Sequence, residues 1–434
     1  MVKALKKIAI DLTPILPGGE NGGAKLFVLE LIGQLAKLAP ETEFILLTQA
    51  ASHEELQGLE SKNIRCLKVL DQTLKKAPFF NLLISTLRKL PIIGRKLAAL
   101  GYRLNTLFKR RQAHSLLQEL KADLLFCPFT APTYSEPGIP TVCTIYDLQY
   151  KTYPEFFKAE ELIHRDQTFI EACRRASMLT AISDYSRLSA IKHAELKPEK
   201  IRTIHLQMAR RIMPDSKQDV EILKTLNLTS QQYLIYPANF WKHKNHEMLL
   251  TAFGIACQNG LPATMKLVCT GAEGARQRFL AEAAAQMGLG ERILFPGYLS
   301  NSDLTLLISN SLAVFFPSLY EGFGLPIIEA MAASVPVACS DLCSLPEVAG
   351  KAALLFNPRI PTQIADVILS ISTNSELRAK LIKAGNERAK LFSDSSKMAK
   401  DYWMLFEQVL GLESNEKRAI DSQSIELISE KESA

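Results

Sequence analysis

The feature that most constrains this chain is a rhythm of short apolar runs, each bounded by turn residues and followed by a stretch with helical spacing. Ile8–Leu12, Glu43–Leu47, Leu124–Cys127, Thr141–Ile145 and Met178–Ile182 form a first series. Tyr233–Tyr236, Met265–Thr270, Arg292–Phe295, Ala313–Phe316 and Val335–Ala338 form a second. Runs that are apolar throughout, rather than alternating, are those of strands buried on both faces. Strands alternating with helices imply parallel sheets joined by crossover helices. The pattern weakens over Ile204–Ser216, where Met213-Pro214-Asp215-Ser216 reads as a linker. The expected fold class is therefore α/β, with two doubly wound Rossmann-like domains facing a cleft. Ligands in such sheets bind outside the carboxyl ends of the strands.

The expected division is an N-terminal domain over residues 1–208 and a C-terminal domain over 209–392. A helix over 393–411 would cross back to the first domain, and the acidic end, 412–434, reads as a disordered tail. No apolar run is long enough for a membrane span, which takes about 18 residues or more. The opening MVKALKKIAIDLTPILPGG lacks the apolar core and cleavage site of a secretory signal, so a cytoplasmic location is expected. The eight cysteines are scattered through apolar runs without a C-x-x-C pair, which reads as buried thiols rather than disulfides or a metal site.

Charge is uneven. The stretch 72–118 carries ten Lys and Arg and no acid, interleaved with apolar residues at helical spacing and broken at Pro91. A basic amphipathic insertion of this kind suits an anionic membrane surface, each cation there contributing roughly 1 kcal/mol. A peripheral position on the inner face of the cell membrane is the corresponding expectation. The alternative is an insertion packed on its own domain with solvated charges. Nucleic acid is not an expected partner, because the aromatics of this stretch sit among aliphatics instead of forming spaced stacking platforms.

The most informative segment for chemistry is PSLYEGFGLPIIEAMA, residues 317–332. An apolar strand ends at Phe316, two glycines follow, and Pro326 sits where the first turn of a helix favours proline. Gly322 and Gly324 let the backbone come close to a ligand, and free N–H groups at a helix start favour an anion. Glu321 and Glu329 bracket the loop. Carboxylates accept from vicinal hydroxyls, such as those of a sugar or ribose.

This segment resembles the signature of glycosyltransferase family 4, retaining enzymes of the GT-B fold that use nucleotide-activated sugars and need no metal. The resemblance extends along the chain. Gly22-Gly23 is similar to the family's first glycine-rich loop, and Thr144-Ile145-Tyr146-Asp147 takes the place of its strand-end His-Asp pair. Ala181–Ser186, Lys244-Asn245, Phe295–Leu299 and Phe392-Ser393 with the helix bearing Tyr402 match further landmarks. The resemblance implies that Glu329 accepts the ribose hydroxyls and that Glu321 faces the donor sugar. The amides of Gly322, Phe323, Gly324 and Leu325 would hold the sugar and distal phosphate. Lys244 would neutralise the diphosphate leaving group, Tyr298 and Leu299 would frame the base, and Gly22 and Gly23 would let the first lobe approach. No cofactor is implied beyond the donor substrate, a GDP-sugar or UDP-sugar, with a glycan or lipid-linked acceptor as partner.

Two departures stand out. The family's arginine five residues before its phosphate-binding lysine is Asn239 here, within Phe240-Trp241-Lys242-His243-Lys244-Asn245-His246. That text resembles an F-W-x-H-K-N-H subgroup of polysaccharide and lipid-linked glycan transferases, which tilts the donor toward GDP-mannose over UDP-sugars. Lys242 or His243 is a candidate source of some of the missing positive charge, the alternative being that both are solvated loop residues. Tyr146 stands where the family often has a histidine, and it does not titrate near neutrality. Ser183 with Ser186 reads as a helix cap, and His205 shows no sequence spacing to a metal partner. A catalytically silent sugar-nucleotide-binding partner in a membrane-associated glycan assembly is the reading from another class.

Overall fold

The computed structural model describes residues 5–18, 21–70, 115–211 and 221–411. Most of the basic insertion, the Met213–Ser216 linker and the acidic tail lie outside the described residues. The chain is an α/β protein of two parallel sheets. The first lobe contains β1 (Lys7–Asp11), β2 (Glu43–Gln49), β3 (Ile64–Leu70), β4 (Leu124–Cys127), β5 (Thr141–Ile145), β6 (Met178–Ala181) and β7 (Ile201–Thr203), in the order β3-β2-β1-β4-β5-β6-β7. The second contains β8 (Tyr233–Pro237), β9 (Lys266–Thr270), β10 (Ile293–Leu294), β11 (Ala313–Phe316), β12 (Val337–Ser340) and β13 (Leu354–Phe356), in the order β10-β9-β8-β11-β12-β13. Every recorded strand pairing is parallel.

The apolar runs became strands because helices cover both sheet faces. In β4, β5, β8, β11 and β12 every residue is buried. Burying one large aliphatic or aromatic side chain contributes about 1.5–3 kcal/mol. The strand order reverses beside β1 in the first lobe and beside β8 in the second, which opens a crevice at the carboxyl ends of the central strands.

Two segments join the lobes. One follows β7. The other ends in the helix Ser395–Val409, which packs on the helix Gly22–Leu38 of the first lobe. Tyr402 of that last helix is fully buried, 5.4 Å from the Phe126 ring and 6.2 Å from Phe27. The segments run side by side: the Ala209 N–H donates to the Phe392 carbonyl at 3.0 Å, and the Asp394 N–H donates to Gln207 Oε1 at 3.2 Å. Among the described residues no helix is long and apolar enough to cross a membrane.

Candidate active site

The site forms where strand ends of the two lobes face each other. In the second lobe β11 ends at Phe316, and the chain turns through Tyr320–Gly324 into the helix Leu325–Ala332. Gly324 precedes that helix with φ +101°, a left-handed conformation that side-chain-bearing residues rarely adopt. Pro326 lies in its first turn. Gly322 is demanded by the opposite lobe, because a Cβ there would stand 2.3 Å from the Tyr146 carbonyl oxygen.

A second loop of the same lobe brings the cation. After β8 the chain makes a short turn over Lys242–Lys244 and enters the helix His246–Gln258 through Asn245, whose φ is +61°. The Asn245 side-chain amide donates to the Pro317 carbonyl at 3.1 Å and to the Pro358 carbonyl at 2.8 Å. The Leu319 N–H donates to the His243 carbonyl at 2.7 Å. So fastened, Lys244 Nζ donates to Glu321 Oε1 at 2.6 Å, and both side chains are mostly shielded from solvent. The ammonium also lies 5.1 Å from the centre of the Phe316 ring.

Asp147 faces this pair from the first lobe. Burial pushes its carboxyl above the ordinary value; the Gln149 N–H, Arg165 and Lys244 pull it down, and Glu321 adds to the upward push. The three groups thus share one electrostatic environment. Tyr146 meets the second lobe through its carbonyl, near Gly322, while its ring packs edge-on to Phe27 at 6.1 Å. Its hydroxyl is buried without a hydrogen-bond partner among the described residues, and burial drives its ionisation far above the usual phenol range.

Ser183 caps the helix Asp184–Ala194, accepting from the Ser186 N–H at 3.1 Å, as the sequence suggested. It also donates across the gap to the Gly322 carbonyl at 2.7 Å. Ser186 donates to the Tyr146 carbonyl at the same distance. Next to them Glu347, from the second lobe, accepts from the Asp184 and Tyr185 N–H groups at 2.7 and 3.0 Å. The lobes are therefore closed on each other through the glycine-rich loop. At the other end of that loop Gly23 abuts Leu325, whose Cδ1 would lie 3.0 Å from a Cβ at position 23. Gly22, with φ +51°, opens the helix beside it.

Glu329 points elsewhere on the second lobe and is almost fully buried. It accepts from Arg211 Nε at 2.7 Å. Phe323 turns inward against Phe392, 5.6 Å away. Leu299 packs on the core while Tyr298 is 72% exposed. Asn239 accepts from the Ala272 N–H at 3.0 Å, which ties its side chain to the loop after β9.

Two expectations need correction. His243 does not supply the positive charge missing at Asn239. Burial, with Lys244 and Arg165 nearby, pushes its imidazole down to about 3, so it is neutral at physiological pH. His205 does find acidic partners: its Nε2 lies 2.7 Å from Glu347 Oε1, and Asp184 completes a cluster whose ligand atoms lie within 4.8 Å of one another. Positions 184, 205 and 347 are too scattered in sequence for spacing to reveal them. Arg211 was missed for the same reason.

Two parallel-sheet lobes closing over a glycine-rich loop bracketed by Glu321 and Glu329 form the GT-B architecture. Residues 218–388 match the family model of glycosyl transferases group 1. The chain is 29% identical over 378 residues to the O-antigen chain mannosyltransferase B of Escherichia coli, covering 86% of this chain and 92% of the relative. It is 26% identical over 215 residues to the O-antigen chain mannosyltransferase RfbU of Salmonella typhimurium, covering 50% of this chain and 56% of that one. Among solved structures, Anabaena HepE in complex with UDP-glucose superposes with a TM-score of 0.68 at 18% identity, covering 93% of this chain and 99% of that one. WaaG, a glycosyltransferase of lipopolysaccharide biosynthesis, gives 0.63 at 17% identity, covering 90% and 98%. These structural likenesses concern the fold.

Proposed function

We propose that this glycosyltransferase is a retaining, metal-independent mannosyltransferase that moves mannose from GDP-mannose to a growing, lipid-linked surface glycan. The observation that carries the reading is the Glu321–Lys244 pair at 2.6 Å, set on the glycine-rich loop and faced by Asp147 from the opposite lobe. As the glycosidic bond of a nucleotide sugar breaks, negative charge grows on the departing diphosphate. Lys244 is the cation aimed at that charge, and the N–H groups of Gly322 to Leu325 add fixed dipoles. Removing one such donor costs on the order of 3 kcal/mol of transition-state stabilisation. Glu321, paired with Lys244 at 2.6 Å, is placed to accept from the sugar hydroxyls while the diphosphate takes the ammonium. Glu329 accepts from the ribose, and the backbone at Tyr298 and Leu299 frames the base.

Retention follows if the acceptor hydroxyl attacks from the face the diphosphate leaves, with the phosphate accepting its proton. Asp147 and the Tyr146 carbonyl then border the acceptor side. The mannosyltransferase names of the relatives support mannose. The basic stretch 72–118 supports an acceptor held at an anionic membrane surface. The test is sugar transfer from labelled GDP-mannose, UDP-glucose and UDP-galactose to lipid-linked glycan, with and without EDTA. Transfer from GDP-mannose, unaffected by EDTA and giving an α-linked product, supports the reading. Nucleotide binding without release for every donor points to the silent partner instead.

A further inference from the structure

The nucleotide side of the cleft holds an ion pair that no motif announced. Arg211 ends the described part of the segment joining the lobes, where its N–H donates to the Met208 carbonyl at 3.1 Å. Its side chain crosses to the second lobe. Nε donates to Glu329 Oε1 at 2.7 Å, and Nη1 reaches Asn301 Oδ1 at 3.4 Å. Glu329 is 2% exposed, and Arg211 is itself mostly buried. Asn301 opens the helix Asn301–Asn310, immediately after the loop of Tyr298 and Leu299. One guanidinium therefore spans the carboxylate assigned to the ribose and the loop assigned to the base.

We infer that Arg211 is a positioning residue of the nucleotide site, which orients the Glu329 carboxylate for the ribose hydroxyls and ties it to the Asn301 loop. The inference rests on the reading of Glu329 as ribose acceptor. A carboxylate offers about four lone-pair sites. The guanidinium takes one at Oε1 through Nε while its Nη1 reaches Asn301, so one rigid planar group links the carboxylate to that loop and leaves its other lone pairs for the ribose. The pairing also answers an electrostatic problem. Burial holds the Glu329 carboxyl above its ordinary value, and Arg211 opposes that push in part. Without it the carboxyl would take up a proton as the pH falls and lose acceptor capacity.

The test is calorimetric titration of GDP and UDP into the full-length wild type, Arg211→Ala, Arg211→Lys and Glu329→Ala at pH about 6, 7 and 8.5. The wild type should lose less affinity than Arg211→Ala as the pH falls. Arg211→Ala should bind about ten- to a hundredfold more weakly at neutral pH, with a further loss toward pH 6. Arg211→Lys keeps the charge but not the fork, so it should flatten the pH profile while recovering only part of the affinity. Wild-type or tighter binding by Arg211→Ala, or a flat profile, overturns the inference. If Arg211→Ala fails to fold, wild-type affinity in Arg211→Lys does the same. Glu329→Ala separates the two claims: if it binds nucleotide normally, the ribose reading itself is wrong. A wild type that binds neither nucleotide removes both.

Discussion

Gly322→Ala is the sharpest perturbation the closed cleft offers. The added methyl would stand 2.3 Å from the Tyr146 carbonyl oxygen, 3.1 Å from its carbonyl carbon and 3.2 Å from Asp147 Cβ. Carbon–oxygen contacts settle near 3.3 Å or more, so loop and strand end must part by about 1 Å. The nearest atoms are backbone at the end of a buried strand, which cannot swing aside as a side-chain tip does. The bond from Ser183 onto the Gly322 carbonyl, and the longer one from Ser186 at 3.3 Å, stretch with it, contributing about 1 kcal/mol or less each. With overpacking at about 1–3 kcal/mol, the closed state should lose about 2 kcal/mol or more relative to an open one. That lowers the closed-to-open ratio about thirtyfold, since 1.4 kcal/mol is a factor of ten. Because Glu329, Arg211 and Asn301 form their contacts away from this clash, the ribose and base side of the site should persist and nucleotide affinity should fall less than kcat. The assay is steady-state transfer, with nucleotide titration and small-angle scattering on the same protein. kcat should fall by about thirty- to a hundredfold and the radius of gyration should rise. Wild-type kcat at wild-type compactness would refute the role given to this contact.

Other perturbations read different parts of the account. Lys244→Ala should lower kcat by about a hundred- to a thousandfold, with a smaller change in KM, because the ammonium acts on charge that develops during bond breaking; equal losses in nucleotide affinity and kcat would mean it acts in the ground state. Burial pushes the Glu347 carboxyl up, but the hydrogen bonds from His205 and from the Asp184 and Tyr185 N–H groups outweigh it and hold its ionisation below the usual value. A depressed carboxyl stabilises the fold above its unfolded pKa, and that contribution is lost as pH falls through the folded one. Thermal melting of Glu347→Gln should therefore lie below wild type at pH 7 and converge with it in acid, and a constant gap across pH would contradict this. His243→Gln should leave the pH–rate profile near neutrality unchanged, since the imidazole already titrates at about 3; disappearance of a limb near 6.5 would show otherwise. Neutralising Arg88, Lys89, Arg95 and Lys96 should abolish co-sedimentation with phosphatidylserine vesicles, and unchanged binding would retire the membrane surface as a partner.

The core strands were legible because both of their faces are buried and an unbroken apolar run records that directly. β3 was not. It lies at the edge of its sheet, and Arg65 and Lys68 interrupt its apolar character, as exposed edges require. β7 and β13 are three residues each, too short to show any period. The Glu321–Lys244 pairing could be expected because each residue belongs to a local motif. Arg211 with Glu329, and Glu347 with Asp184 and Tyr185, are made by lobe closure between segments more than a hundred residues apart. No local pattern encodes such a meeting. The neutrality of His243 was equally hidden, because burial and neighbouring cations decide it.

The most direct measurement is the kinetics of mannose transfer from GDP-mannose by the wild type and by Glu321→Gln and Glu329→Gln. If the two carboxylates divide the donor between them, Glu329→Gln should chiefly raise KM for the nucleotide sugar and Glu321→Gln should chiefly lower kcat. Equal kinetics in all three proteins would show that the donor is held and cleaved somewhere other than between these lobes.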